Sequence, residues 1–162
     1  MAKSKSPRKP MSRPARLINP AEYARQKQFL ESKLTDAEVD RYALPAWIYL
    51  GIVMSGKACE GTEGGITRHI VMLQVFAAEV QDRPLYELTA KTVTLWLAAL
   101  DLSMKRREPV DLSTSAKKAI SKCISEWERA LRAMNTEMLL HVCNRWRAIS
   151  RKYTVDVEEK AA

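Results

Sequence analysis

Glycine and proline are scarce in this chain of 162 residues: there are five Gly and seven Pro, and three of the Pro fall within the first fourteen positions. A β-rich protein needs many turns, and turns need those residues, so the expected fold class is all-α. Cysteine is equally sparse. Cys59, Cys123 and Cys143 are odd in number and lack paired spacing, which argues against a disulfide framework and for a reducing, cytoplasmic setting. Long apolar runs are missing too. The longest, Leu44 to Met54, is interrupted by Pro45 and is about half of the roughly 20 residues a membrane-spanning helix requires. No apolar signal region follows the basic first sixteen residues, and their repeated Pro opposes the amphipathic helix of a transit peptide.

Reactive groups that could converge on a substrate are also few. His69 and His141 are the two histidines, and His141 and Cys143, two apart on a helix, point about 200° apart and cannot chelate one metal together. Cys59 and His69 bracket a Gly-rich stretch without a second close ligand pair. The cysteines therefore read as buried small hydrophobes and the histidines as partly exposed. Gly61-Thr62-Glu63-Gly64-Gly65 lacks both a preceding strand and a following Lys-Ser/Thr, so it reads as a loop and not as a phosphate cradle. Glu126 and Glu128 fall on different helix faces, and Glu128 with Arg132 forms an i,i+4 pair. No enzyme activity, metal, cofactor or small-molecule substrate is expected.

What the chain does have is positive charge, unevenly placed. The net charge is +8. Residues 1–17 hold Lys3, Lys5, Arg8, Lys9, Arg13 and Arg16 and no acid. Residues 18–104 hold eight basic and eleven acidic groups, residues 105–152 hold twelve and five, and the last ten are acidic overall. Such asymmetry points to separate partner surfaces.

The pattern along the chain predicts a compact bundle of five to seven helices. Residues 1–18 are expected to be a disordered basic arm, 19–153 a single helical domain and 154–162 a flexible acidic tail. Asn19-Pro20 starts a helix running to about Lys33. Thr35-Asp36-Ala37-Glu38 has the form of a capping box and opens a second, which Pro45 kinks or splits into 36–43 and 45–59. Ala46 to Met54 is apolar nearly all round, which predicts a place at the centre of the fold. Ile66 to Val80 has a helical apolar stripe, broken at Asp82-Arg83-Pro84. Thr89 is expected to cap the next helix, with Val93, Trp96, Leu97 and Leu100 inward, followed by a basic loop over 103–112. Ser113 or Thr114 starts a long helix burying Ile120, Cys123, Ile124, Trp127 and Leu131. Asn135-Thr136 starts a last one to about Tyr153 with Leu139, Val142, Cys143, Trp146 and Ile149 inward.

Cationic segments are the strongest functional signal. The Pro-punctuated arm is suited to tracking phosphates or entering a narrow minor groove. Lys105, Arg106 and Arg107 precede the long helix, which carries Lys117, Lys118 and Lys122, and Arg145, Arg147, Arg151 and Lys152 lie on the last helix. A surface of that kind spans a phosphate backbone. Few aromatics are interleaved, so duplex binding is expected over single-strand stacking.

From Arg68 to Leu131 the chain also resembles the core-binding domain of tyrosine recombinases (phage-type integrases). The resemblance is carried by Val71 to Val80 with Phe76, by Pro84-Leu85-Tyr86-Glu87-Leu88-Thr89 leading to Val93, Trp96-Leu97 and Leu100, and by Ser113 to Leu131. It implies a four-helix unit clamping one face of duplex DNA, with contacts from Lys91, Lys117, Lys118 and Lys122. The recombinase catalytic set is absent, and Asn19 to Gly65 has no counterpart in that family.

Two functions follow as expectations. One is a non-catalytic nucleic-acid-binding protein, accessory or regulatory, acting on duplex DNA. The other is a protein-binding adaptor or inhibitor whose acidic residues (Glu31, Asp36, Glu38, Asp40, Glu60, Glu63) meet a basic partner. A homodimer through the Trp-bearing final helices is compatible with both.

Overall fold

The structure, a computed structural model, describes residues 19–57 and 60–161, with the side chains of Glu60 and of residues 152–161 left undescribed. Six helices account for almost all of it: α1 (Pro20–Glu31), α2 (Asp36–Met54), α3 (Glu60–Glu79), α4 (Arg83–Arg106), α5 (Thr114–Ala133) and α6 (Thr136–Ala161). No strand occurs among the described residues. The single β-bridge there, Lys33 with Asn135, ties the chain after α1 to the start of α6.

Local chemistry sets most of the starts. Asn19 accepts from the Ala21 amide, with Pro20 in the first turn where its missing N–H costs nothing. Thr35 and Glu38 form a full capping box. Asp82 accepts from the Leu85 amide at 3.0 Å, Ser113 from Ala116 at 3.2 Å and Asn135 from Met138 at 2.8 Å. Helix α4 thus begins at Arg83, capped by Asp82. Thr89, expected as its cap, is fully buried inside it and bonds back to the Tyr86 carbonyl.

The stops are less local. Gly56, at φ 71°, closes α2, with its amide on the Val53 carbonyl and the Lys57 amide on Ile52, the left-handed termination that glycine favours. Helices α3 and α4 end with the same geometry without glycine, at Gln81 (φ 57°) and Arg107 (φ 56°). Helix α4 therefore runs to Arg106, and the first four residues of the expected 103–112 loop are helical. Helix α6 continues to Ala161, beyond the expected end near Tyr153.

Two expectations about the middle of the chain are overturned. Gly61, Gly64 and Gly65 are not a loop; all three lie in the opening turns of α3. At Gly65 the Tyr49 ring of α2 packs onto the backbone, so a Cβ there would come within 3.0 Å of ring carbons. The glycine serves a close helix approach. Nor is the apolar half of α2 central. Helix α3 is the hub, packing on α2, α4, α5 and α6, and it buries Ile66, Ile70, Met72, Leu73 and Ala77. Helix α2, unsplit by Pro45, lies outside it and leaves Leu44, Trp47 and Ile48 exposed.

The polar atoms of the core are satisfied internally. Trp96 Nε1 donates to Thr67 Oγ1 at 2.8 Å, Cys123 Sγ to Thr92 Oγ1 at 3.2 Å, and Trp127 Nε1 to the Tyr42 carbonyl at 3.3 Å. Among the described residues no buried side-chain nitrogen or oxygen lacks a partner. Buried polar groups left unpaired would cost about 1–3 kcal/mol each, so these bonds also select one packing of α2, α3, α4 and α5. Leu97 of α4, expected inward, is about half exposed, and Val80 falls just past the end of α3 and is also exposed.

Candidate functional site

The cationic side chains divide into three groups by the elements that carry them. Lys3, Lys5, Arg8, Lys9, Arg13 and Arg16, like Cys59 and the Lys152 side chain, lie outside the described residues. The second group lies on α4 and α5, which pack antiparallel: Thr92 meets Cys123, and Leu85 and Leu88 share a shallow groove with Lys122, Glu126 and Arg129. The third lies on α6, which packs on α3 and α1 and has no packed face against α4 or α5.

On α5 the buried stripe through Ala116, Ile120, Cys123, Ile124 and Trp127 forces the intervening residues outward. Lys118 and Lys122, four apart, project from the side opposite that stripe, and Lys117 sits half-exposed beside it. Lys91, exposed on α4, flanks the edge that borders α5. Antiparallel packing brings the C-terminal end of α4, with Lys105, Arg106 and Arg107, to the same end of the pair as Lys117 and Lys118. One edge of the α4–α5 pair thus collects Lys91, Arg106, Lys118 and Lys122, with Arg107 at its end, while Lys117 lies about 140° round α5 from Lys122, on the flank that faces α2.

Ion pairing separates these cations into engaged and free ones. Lys105 holds Asp101 at 2.6 Å, and Arg129 holds Glu126 at 3.5 Å. Arg132 bridges Glu128 (3.0 Å) and Asp36 (3.2 Å), while Glu128 also accepts Trp47 Nε1 at 2.9 Å, so this cluster ties α5 to α2. The Trp47 bond and Arg132 hold the Glu128 carboxyl below its usual range. Lys91, Lys117, Lys118 and Lys122 make no ion pair among the described residues. The first turn of α5 contains no acid, so the positive end of its helix dipole adds to Lys117 and Lys118.

Helix α6 does not continue that edge. Arg145 and Arg147, two apart, project from opposite flanks about 200° apart, with Arg151 on the Arg147 side. All three are exposed.

The histidines take different places. His69 is buried, not partly exposed: its Nδ1 donates to the Gly65 carbonyl at 2.7 Å, and its ring lies 6.1 Å from those of both Tyr49 and Trp127. Burial lowers its pKa, the Gly65 bond opposing. His141 is exposed and meets Glu79 at 2.9 Å. Burial raises the Cys123 and Cys143 thiols, which opposes thiolate chemistry. No group of three His, Cys, Asp or Glu able to hold a metal ion occurs among the described residues. No described helix is long and apolar enough to cross a membrane.

Comparison with protein families, with curated proteins and with solved structures finds no match to this chain.

Proposed function

We propose that this protein is a non-catalytic nucleic-acid-binding protein that grips duplex DNA by its phosphates through the α4–α5 edge and the basic N-terminal segment. The observation that carries the reading is the set of four lysines, Lys91, Lys117, Lys118 and Lys122, on two adjacent helices with no acid paired to them among the described residues. Unlike Arg83, which holds Glu87, and Lys105, which holds Asp101, these lysines have no internal ion pair to break before they meet a phosphate. The resemblance to the recombinase core-binding domain singles out the same four lysines. Contacts of this kind read backbone and shape, not base sequence.

Fluorescence anisotropy of a labelled duplex against rising salt tests this directly. Each phosphate contact contributes a slope of about 0.9 in log K against log salt. Replacing Lys117, Lys118 and Lys122 together by Ala is expected to flatten the slope by about 2.7. Binding that ignores salt, or no binding at low ionic strength, refutes the reading. A second reading, a protein-binding adaptor, is favoured by the uncovered apolar face of α2.

A further inference from the structure

The outward face of α2 carries a regular seam that the fold leaves uncovered. Ala37, Arg41, Leu44, Ile48, Gly51 and Ser55 are all exposed and follow one another in alternating steps of four and three residues. That is the a/d spacing by which one helix packs along another. Leu44 is 58% and Ile48 51% exposed at its centre, and the indole of Trp47 borders them at 37%. No other described helix reaches this face, because α2 packs on α3 and α5 from the opposite side.

We propose that α2 is a homodimer interface, in which the α2 helices of two copies of this chain pack antiparallel about a two-fold axis between Leu44 and Ile48. The face is self-complementary in that register. Leu44 of each copy meets Ile48 of the other, Arg41 lies over Gly51, where no side chain occupies the space, and Ala37 faces Ser55. Charge agrees with the direction: Asp40, together with Asp36 beyond its contact to Arg132 of the same copy, stands at the start of α2 and Lys57 just past its end, so antiparallel packing sets acid against base at both ends of the contact. The helix dipoles then also oppose favourably. A nucleic acid has no use for an apolar stripe. The basic segment 1–18 has few apolar residues with which to cover one.

Sedimentation equilibrium of the full chain across the micromolar range tests the proposal. Wild type is expected to show a monomer–dimer equilibrium. Leu44→Lys and Ile48→Glu, both at exposed positions, are each expected to weaken it by at least about tenfold while helical circular dichroism stays unchanged. The mixture of the two variants decides the register. Antiparallel packing sets the positive charge introduced at position 44 of one variant against the negative charge introduced at position 48 of the other. The second contact, between the remaining Ile48 and Leu44, is kept. Mixing therefore restores a heterodimer, whereas a parallel pair gains no such match. A wild-type monomer throughout that range, dimers unaffected by either substitution, or a mixture that stays monomeric overturns the proposal.

Discussion

Alanine at Gly64 and at Gly65 is expected to change stability in opposite directions, although the two positions adjoin on one helix. In a helix interior Gly is about 0.8–1.0 kcal/mol less favourable than Ala. Gly64 is exposed, and a Cβ there meets nothing within 4 Å, so Gly64→Ala should stabilise the fold by most of that amount. At Gly65 the same gain is opposed by the Tyr49 ring, whose Cγ lies 2.9 Å from the Cβ position with Cδ2 and Cε2 closer still. The ring is half-buried and lies beside the buried His69 ring, 6.1 Å between centroids, which limits the directions in which it can yield. Overpacking of this kind costs about 1–3 kcal/mol. Gly65→Ala should therefore be destabilised by about 1 kcal/mol net, and the two variants should differ by about 2 kcal/mol. Urea unfolding followed by far-ultraviolet circular dichroism reads the difference as a shift of midpoint at constant slope. Tyr49→Ala in the Gly65→Ala background should recover part of the loss, a non-additivity expected only of residues in contact. If Gly65→Ala proves as stable as Gly64→Ala, the packing account of this glycine is wrong.

Other outcomes follow from single observations. His69 is buried with a folded pKa below its unfolded value, so its stability contribution is complete above about pH 6.5 and is lost progressively as pH falls toward the folded value. Between pH 7 and 5, wild type should lose stability more steeply than His69→Gln; parallel profiles would exclude His69 as the cause. The carboxyls of Glu38 and Glu128, both lowered, act in the same direction but only at more acid pH. Gln81 closes α3 in the left-handed region at φ 57°, a conformation costing an L-residue roughly 1–2 kcal/mol, so Gln81→Gly should raise the melting temperature, and a fall would show that its side chain contributes more than its backbone strain.

Much of the helical plan was legible because helix starts are written over three or four neighbouring residues. Asn19-Pro20, Thr35 with Glu38, Ser113 and Asn135 each announce a first turn that the structure contains, and the inward stripe of α5 from Ile120 to Leu131 is buried as its periodicity predicts. The ends were harder, since α3 and α4 close on Gln81 and Arg107 without the glycine that usually marks a stop. The glycines of α3 misled for a related reason: three in five residues resemble a loop until the Tyr49 ring is seen against Gly65. Among the candidate cations, sequence identified the charged side chains but not their company. It paired Arg132 with Glu128, as found, but did not separate Lys122, which has no ion pair among the described residues, from Lys105, which holds Asp101.

Composition and local capping by themselves determined that this chain is all-helical and roughly where each helix begins, because both act through the backbone over one or two turns. Only the tertiary structure decided that α3 is the hub and α2 lies outside it, since an apolar helix carries no mark of which neighbour covers it. It also decided that Lys91 joins the lysines of α5 while Arg145 and Arg147 diverge on α6. Charges far apart in sequence become one surface only when packing sets their helices side by side.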